Sequence, residues 1–149
     1  MNISRHGTML FLLSLAFLAT TESRAADVAQ VKVSAGSVHI ERGGKRLAAP
    51  VGTGVQASDT IVTGADGKVG ITFVDDARLS AGPNSTLAIN KFSYNQNTHA
   101  GTMDTTLKRG TLSVVSGKLA KQSPDAVTVR TPSTILGVRG TEFLVRAGE

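Results

Sequence analysis

Beyond residue 25, no stretch of this chain sustains an apolar repeat of 3.6 residues, whereas short alternating runs recur throughout. KVGITFV, Lys68 to Val74, is the clearest, with Val69, Ile71 and Phe73 at every second position. A period of two puts successive side chains on opposite faces of an extended strand, so such a run has one apolar face and one polar face. The pattern argues against a helical bundle and for sheets.

Similar runs are VAQVKVS from Val28, SVHIE from Ser37, DTIVTG from Asp59, ARLSA from Ala77, STLAIN from Ser85 and KFSYN from Lys91. GTMDTTLKR from Gly101, GTLSVVSGKL from Gly110, AVTVRT from Ala126 and GTEFLVR from Gly140 continue the series. Between many of them stand turn signals: RGGK at Arg42, GADG at Gly64, VDDA at Val74 and AGPNS at Ala81. Glycine tolerates positive φ there, and Asp or Asn bonds the nearby backbone. The spacing predicts an all-β, single domain of about ten short strands, a sandwich or roll. Some β-solenoid character is expected as well, because GSVHI from Gly36 and GTLSV from Gly110 read as copies of one turn-and-strand unit. The inward positions are Val69, Ile71, Phe73, Leu87, Ile89, Leu112, Val114, Val127, Val129, Phe143 and Val145. With few aromatics, the core should be mainly aliphatic.

The first residues predict export. MNISRHGT carries Arg5 and no acid, MLFLLSLAFLA is apolar, and TTESRA ends with small residues at Ser23 and Ala25. That is the order of a secretory signal peptide over residues 1–25, cleaved after Ala25. The apolar run is shorter than the roughly 20 residues a spanning helix needs, and no later segment approaches that length. The mature chain, residues 26–149, then holds 14 basic and 10 acidic residues, a net charge of +4. A mild positive balance spread along the chain, with few aromatics to stack on bases, does not point to nucleic acid. Cysteine is absent, so there is no disulfide framework and no thiol chemistry.

No catalytic, cofactor-binding or metal-ligating set is read from these residues. His39 and His99 lie in no recognisable catalytic motif, and His39 reads as a solvent-facing strand residue. Asp75 and Asp76 are adjacent, so on a strand they face opposite ways and in a hairpin both face water; a turn explains them. GTGVQA, Gly52 to Ala57, matches GxGxxA, but a strand rather than a helix follows it, which leaves no helix N-terminus for a pyrophosphate. Tyr94, in KFSYNQNTH, is the one tyrosine and the one candidate platform for a sugar ring; a polar hairpin with a half-buried tyrosine is the reading the residues favour.

The order of the pieces carries a resemblance. GSVHI is followed by VGTGVQASDTIVTGADGKVGITFVDDARLSAGPNSTLAI, then RGTLSV, then VTVRTPSTILGVRGTEFLV. From about Val31 to Val145 this resembles the periplasmic domain of the FecR family, the ferric citrate regulators of bacterial envelopes; TPSTILGVRGTEF is its most specific part. The resemblance implies a Gram-negative periplasm and a signalling role. Full-length members of that kind join a cytoplasmic segment that controls a sigma factor to a membrane helix and then to this domain. Here a cleavable leader stands in place of the first two parts and the chain stops at Glu149, so a free-standing, non-enzymatic interaction or sensing module is expected. Its partner would be another envelope protein; peptidoglycan or another wall glycan is the alternative.

Within the closing motif, Thr131, Pro132, Gly137, Arg139, Gly140, Thr141 and Phe143 are the candidate residues. Arg139 lies between two glycines in an apolar, β-branched stretch, and two roles suit it. It presents a contact group or, as the residues favour, it clasps the fold by pairing with loop carbonyls or with an acid such as Asp59 or Glu142. Gly137 and Gly140 are expected to adopt backbone geometries that a side chain forbids.

Overall fold

A computed structural model describes residues 24–140 and 142–148. The described residues form twelve strands, one short helix and one 3-10 turn, an all-β single domain. In chain order the strands are β1 (Asp27–Ala35), β2 (Val38–Arg42), β3 (Lys45–Ala48), β4 (Gly54–Gln56), β5 (Thr60–Thr63) and β6 (Lys68–Phe73). They continue with β7 (Arg78–Ala81), β8 (Thr86–Tyr94), β9 (Gly101–Val115), β10 (Val127–Arg130), β11 (Ile135–Gly137) and β12 (Glu142–Ala147). Helix α1 (Lys118–Gln122) and the 3-10 turn Pro124–Ala126 join β9 to β10.

Two sheets share one long strand. The first half of β9 pairs with β8 on one side and β10 on the other, completing the order β3-β2-β5-β8-β9-β10-β11. Its second half lies between β7 and β12, completing β4-β1-β6-β7-β9-β12. The change of sheet falls at Gly110, whose φ of +96° is open to glycine at little cost. A Cβ there would sit 2.1 Å from Ser85 Oγ. Ser85, fully buried, closes the bend by accepting the Thr111 N–H at 3.0 Å. The sheet therefore curls around a single core.

Alternation fixes which side chains fill that core. Val69, Ile71, Phe73, Leu87, Ile89, Leu112, Val114, Val127, Val129 and Val145 are all buried, as their period predicts, and Phe143 is half-buried against them. Phe73 and Phe92 meet at 4.9 Å between ring centroids; the remainder of the core is mostly aliphatic. Val33 departs from the pattern. It shares parity with Val31, yet a register shift between the two in the β1–β6 pairing turns Val33 outward.

Several boundaries differ from the sequence reading. STLAIN and KFSYN form one strand, β8, and the two glycine-led runs from Gly101 and Gly110 form one strand, β9. Lys118 and Leu119 leave the sheet for α1. The crossover is required because β10 runs parallel to β9, and a parallel pair needs a connection that returns the chain to its starting end. The RGGK turn is a two-residue hairpin between β2 and β3 with positive φ at both Gly43 and Gly44.

Candidate interaction site

The closing motif forms an exposed corner at one edge of the first sheet. Buried Val127 and Val129 anchor β10, and the chain then turns through Thr131 to Thr134 into β11. Thr131 fastens this turn: its N–H donates to the Thr134 carbonyl at 2.8 Å, and its Oγ1 accepts the Thr134 N–H at 3.1 Å. Pro132, Ser133 and Thr134 face solvent, as does Ile135, 65% exposed on the edge strand. Val138 returns to the core and donates its N–H to the Val127 carbonyl at 3.1 Å. Gly140 follows with φ +153°, its carbonyl accepting Ser116 Oγ–H at 2.6 Å. Phe143 sits on β12 opposite Val114. Thr141 lies outside the described residues.

Arg139 projects from this corner. Its guanidinium meets Asp125 at 3.1 Å, with the two side chains 80% and 89% exposed. A pair so open to water contributes little to stability. Arg139 and Asp125 border a shallow depression whose floor includes Ala120, Pro124 and Val138. Of the two glycines, only Gly140 has positive φ; Gly137 is an ordinary strand residue with open space where a Cβ would stand.

The arginine clasp of this fold belongs to half-buried Arg42. Its Nε donates to Asp59 Oδ1 at 2.8 Å and its Nη2 to Oδ2 at 2.6 Å, a two-pronged pair, with a further bond from Nη2 to the Gly54 carbonyl at 3.0 Å. Asp59 is 1% exposed and also accepts the Gln56 N–H at 2.8 Å. The Asp59 hydrogen bond raises the Arg42 guanidinium above its usual range, outweighing the effect of burial. This clasp ties the β2–β3 hairpin to β4 and to the start of β5. A sequence reading that treats Arg42 only as part of a turn misses it; the sole signal was an acid placed directly before the apolar run TIV.

The two adjacent aspartates also part company. Asp75 is buried, not turned to water. Its Oδ1 accepts the Ala77 N–H and its Oδ2 the Leu119 N–H, both at 3.2 Å, while its carbonyl accepts the Lys118 N–H at 2.8 Å. It thereby supplies the cap that Gly117, lacking a side chain, cannot give α1. Asp76 stays in water and meets Lys118 Nζ at 2.7 Å. That hydrogen bond lowers the Asp76 carboxyl and raises the Lys118 ammonium relative to their ordinary values.

The histidines are engaged separately. His39 is largely covered rather than solvent-facing, with Nε2 3.5 Å from Glu41. His99 stacks on half-buried Tyr94 with 6.0 Å between centroids, in the polar hairpin loop that joins β8 to β9. Among the described residues no three His, Cys, Asp or Glu side chains are grouped to hold a metal ion, and no helix is long and apolar enough to cross a membrane.

The fold defines a small, curled all-β single domain with its closing motif at one sheet edge. A family model described as FecR protein matches residues 59–149, and the chain belongs to the FecR family. Membership supports a signalling or sensing role. The match begins at the clasp residue Asp59, so β1 to β4 lie outside it although β1 and β4 complete the second sheet. No curated protein and no solved structure matches the chain.

Proposed function

We propose that this chain is a non-enzymatic sensing module of the Gram-negative periplasm, exported by the leader over residues 1–25, and that it acts by binding another envelope protein. Membership of the FecR family is the observation that carries this reading. Residues 1–23 lie outside the described part of the chain, so the proposed address rests on the sequence of the leader and on the resemblance. The contact surface is the Thr131–Gly140 corner. Ile135 supplies an exposed apolar anchor and Arg139 an exposed cation whose ion pair with Asp125 is itself open to water.

A wall glycan is the second reading, with Tyr94 as its platform; the stacking of His99 leaves that ring less surface to offer a sugar. Crosslinking the tagged protein in intact cells, with proteins and glycans both identified by mass spectrometry, separates the two. One recurrent protein adduct, lost in a folded Arg139→Ala variant, is expected. Wall fragments without a protein adduct would favour the glycan reading, and hydrolysis of a defined substrate by the purified protein would overturn the non-enzymatic one.

A further inference from the structure

The two sheets present four edge strands, and three of them are poor templates for pairing. Strand β3 is four residues long and carries Lys45 and Arg46, so a second β3 would meet it with like charges. Strands β4 and β11 have three residues each. Short and charged edges are how sheets avoid recruiting another strand.

Strand β12 is longer, and its two charges, Glu142 and Arg146, are of opposite sign. It spans six residues, holds an unbroken register against β9, and has no strand on its other side among the described residues. Leu144, at its centre, is 70% exposed on the outer face. The reason lies across the sheet: the residues in register with it are Ser113, Ser80 and Gly70, which leave a shallow row with Val33 at the far end. Among the described residues, none in that row beside Leu144 is large enough to cover it.

The sequence of β12 is complementary to itself. Glu142, Leu144 and Arg146 share the outer face, while Phe143, Val145 and Ala147 share the inner. If two copies of β12 run antiparallel with Leu144 on the dyad, Glu142 of each copy stands opposite Arg146 of the other. Leu144 then meets its own copy, and Phe143 meets Val145 across the inner face. We propose that this chain self-associates through antiparallel β12–β12 pairing centred on Leu144, continuing the second sheet across a two-fold axis. Such an interface is isologous and closed, so it yields a dimer and not a fibre. The unused N–H and C=O groups along the free edge gain partners, and both ion pairs form at once.

Sedimentation equilibrium of the purified protein over a range of concentrations tests this proposal. A reversible monomer–dimer equilibrium is expected. Glu142→Arg or Arg146→Glu alone sets like charges opposite each other twice and should weaken the dimer about tenfold, given the size of cross-strand pair effects. The double variant Glu142→Arg with Arg146→Glu should restore it, and all three should keep the wild-type circular dichroism because both residues are exposed. The chain has no native cysteine, so Leu144→Cys gives an independent measurement. Mild oxidation should yield a disulfide-linked dimer at concentrations where Val51→Cys, exposed in the turn before β4, remains monomeric. A protein that stays monomeric throughout, or a dimer indifferent to the single charge reversals, would overturn the proposal.

Discussion

Two arginines of similar local context, each beside a glycine at a corner, have opposite fates in this fold. Arg42 has one well-oriented carboxylate within reach of both prongs of its guanidinium, and that carboxylate is buried. Arg139 has a single bond to an acid in open water. Removing the first leaves a buried charge unpaired, at a cost of about 3 kcal/mol, whereas removing the second should cost almost nothing. Thermal melts of Arg42→Ala and Arg139→Ala are therefore expected to diverge, with a large fall in Tm for the former and none for the latter. Equal falls would make Arg139 a structural residue. Asp76 and Lys118 give a separate test by pH. The carboxyl is lowered on folding, so its stabilisation is present above its unfolded pKa of about 3.9 and disappears as pH drops through the lower folded value. The ammonium is raised, so its stabilisation is present below about 10.4 and disappears as pH climbs through the higher folded value. The stability difference between wild type and Lys118→Met should be flat at neutral pH and shrink at both extremes. It should stay small throughout, because both groups face water.

At the scale of elements, β9 governs the architecture through one bend. Substituting Gly110→Ala combines positive φ with a Cβ driven into Ser85, and should destabilise the protein by about 2–5 kcal/mol in denaturant titration. A neutral result would mean that the bend does not depend on glycine. The sequence announced this glycine as the start of a new strand, and in a sense correctly, since the partners change there from β8 and β10 to β7 and β12. Alternation cannot reveal that a strand continues through its glycine into a second sheet. Inward positions on β6 and the first half of β8 were legible because Val69, Ile71 and Phe73, and then Leu87 and Ile89, alternate along one apolar face. Val33 was not, because the bulge that reverses its face depends on pairing with β6 and leaves no local mark. Strands β3, β4 and β11, at three or four residues, are too short to show a period. Helix α1 was hidden for a related reason, since its cap comes from Asp75, 44 residues before the Leu119 it bonds. The candidate corner was visible as a motif, but its exposure was not, because the pairing of Asp59 with Arg42 rather than Arg139 is settled only when the hairpins assemble.

Across the whole molecule, the acceptors that hold the clasp, the bend and the cap, Asp59, Ser85 and Asp75, are all buried, while residues 132–135 of the closing motif and Arg139 are exposed at a sheet edge. The aliphatic core is that of a FecR-family chain, and the corner is the contact surface we propose for it. The β12 edge lies on the other sheet, so self-association there and partner binding at the corner use different strands. The proposed contact role of the corner is tested most directly by a photo-crosslinking residue placed at Ile135 in living cells. A matched control belongs at Val51, in the turn after β3, the strand at the opposite edge of the same sheet. We predict one defined protein adduct from the Ile135 position and none from Val51; identical adducts from both, or glycan adducts alone, would contradict the assignment.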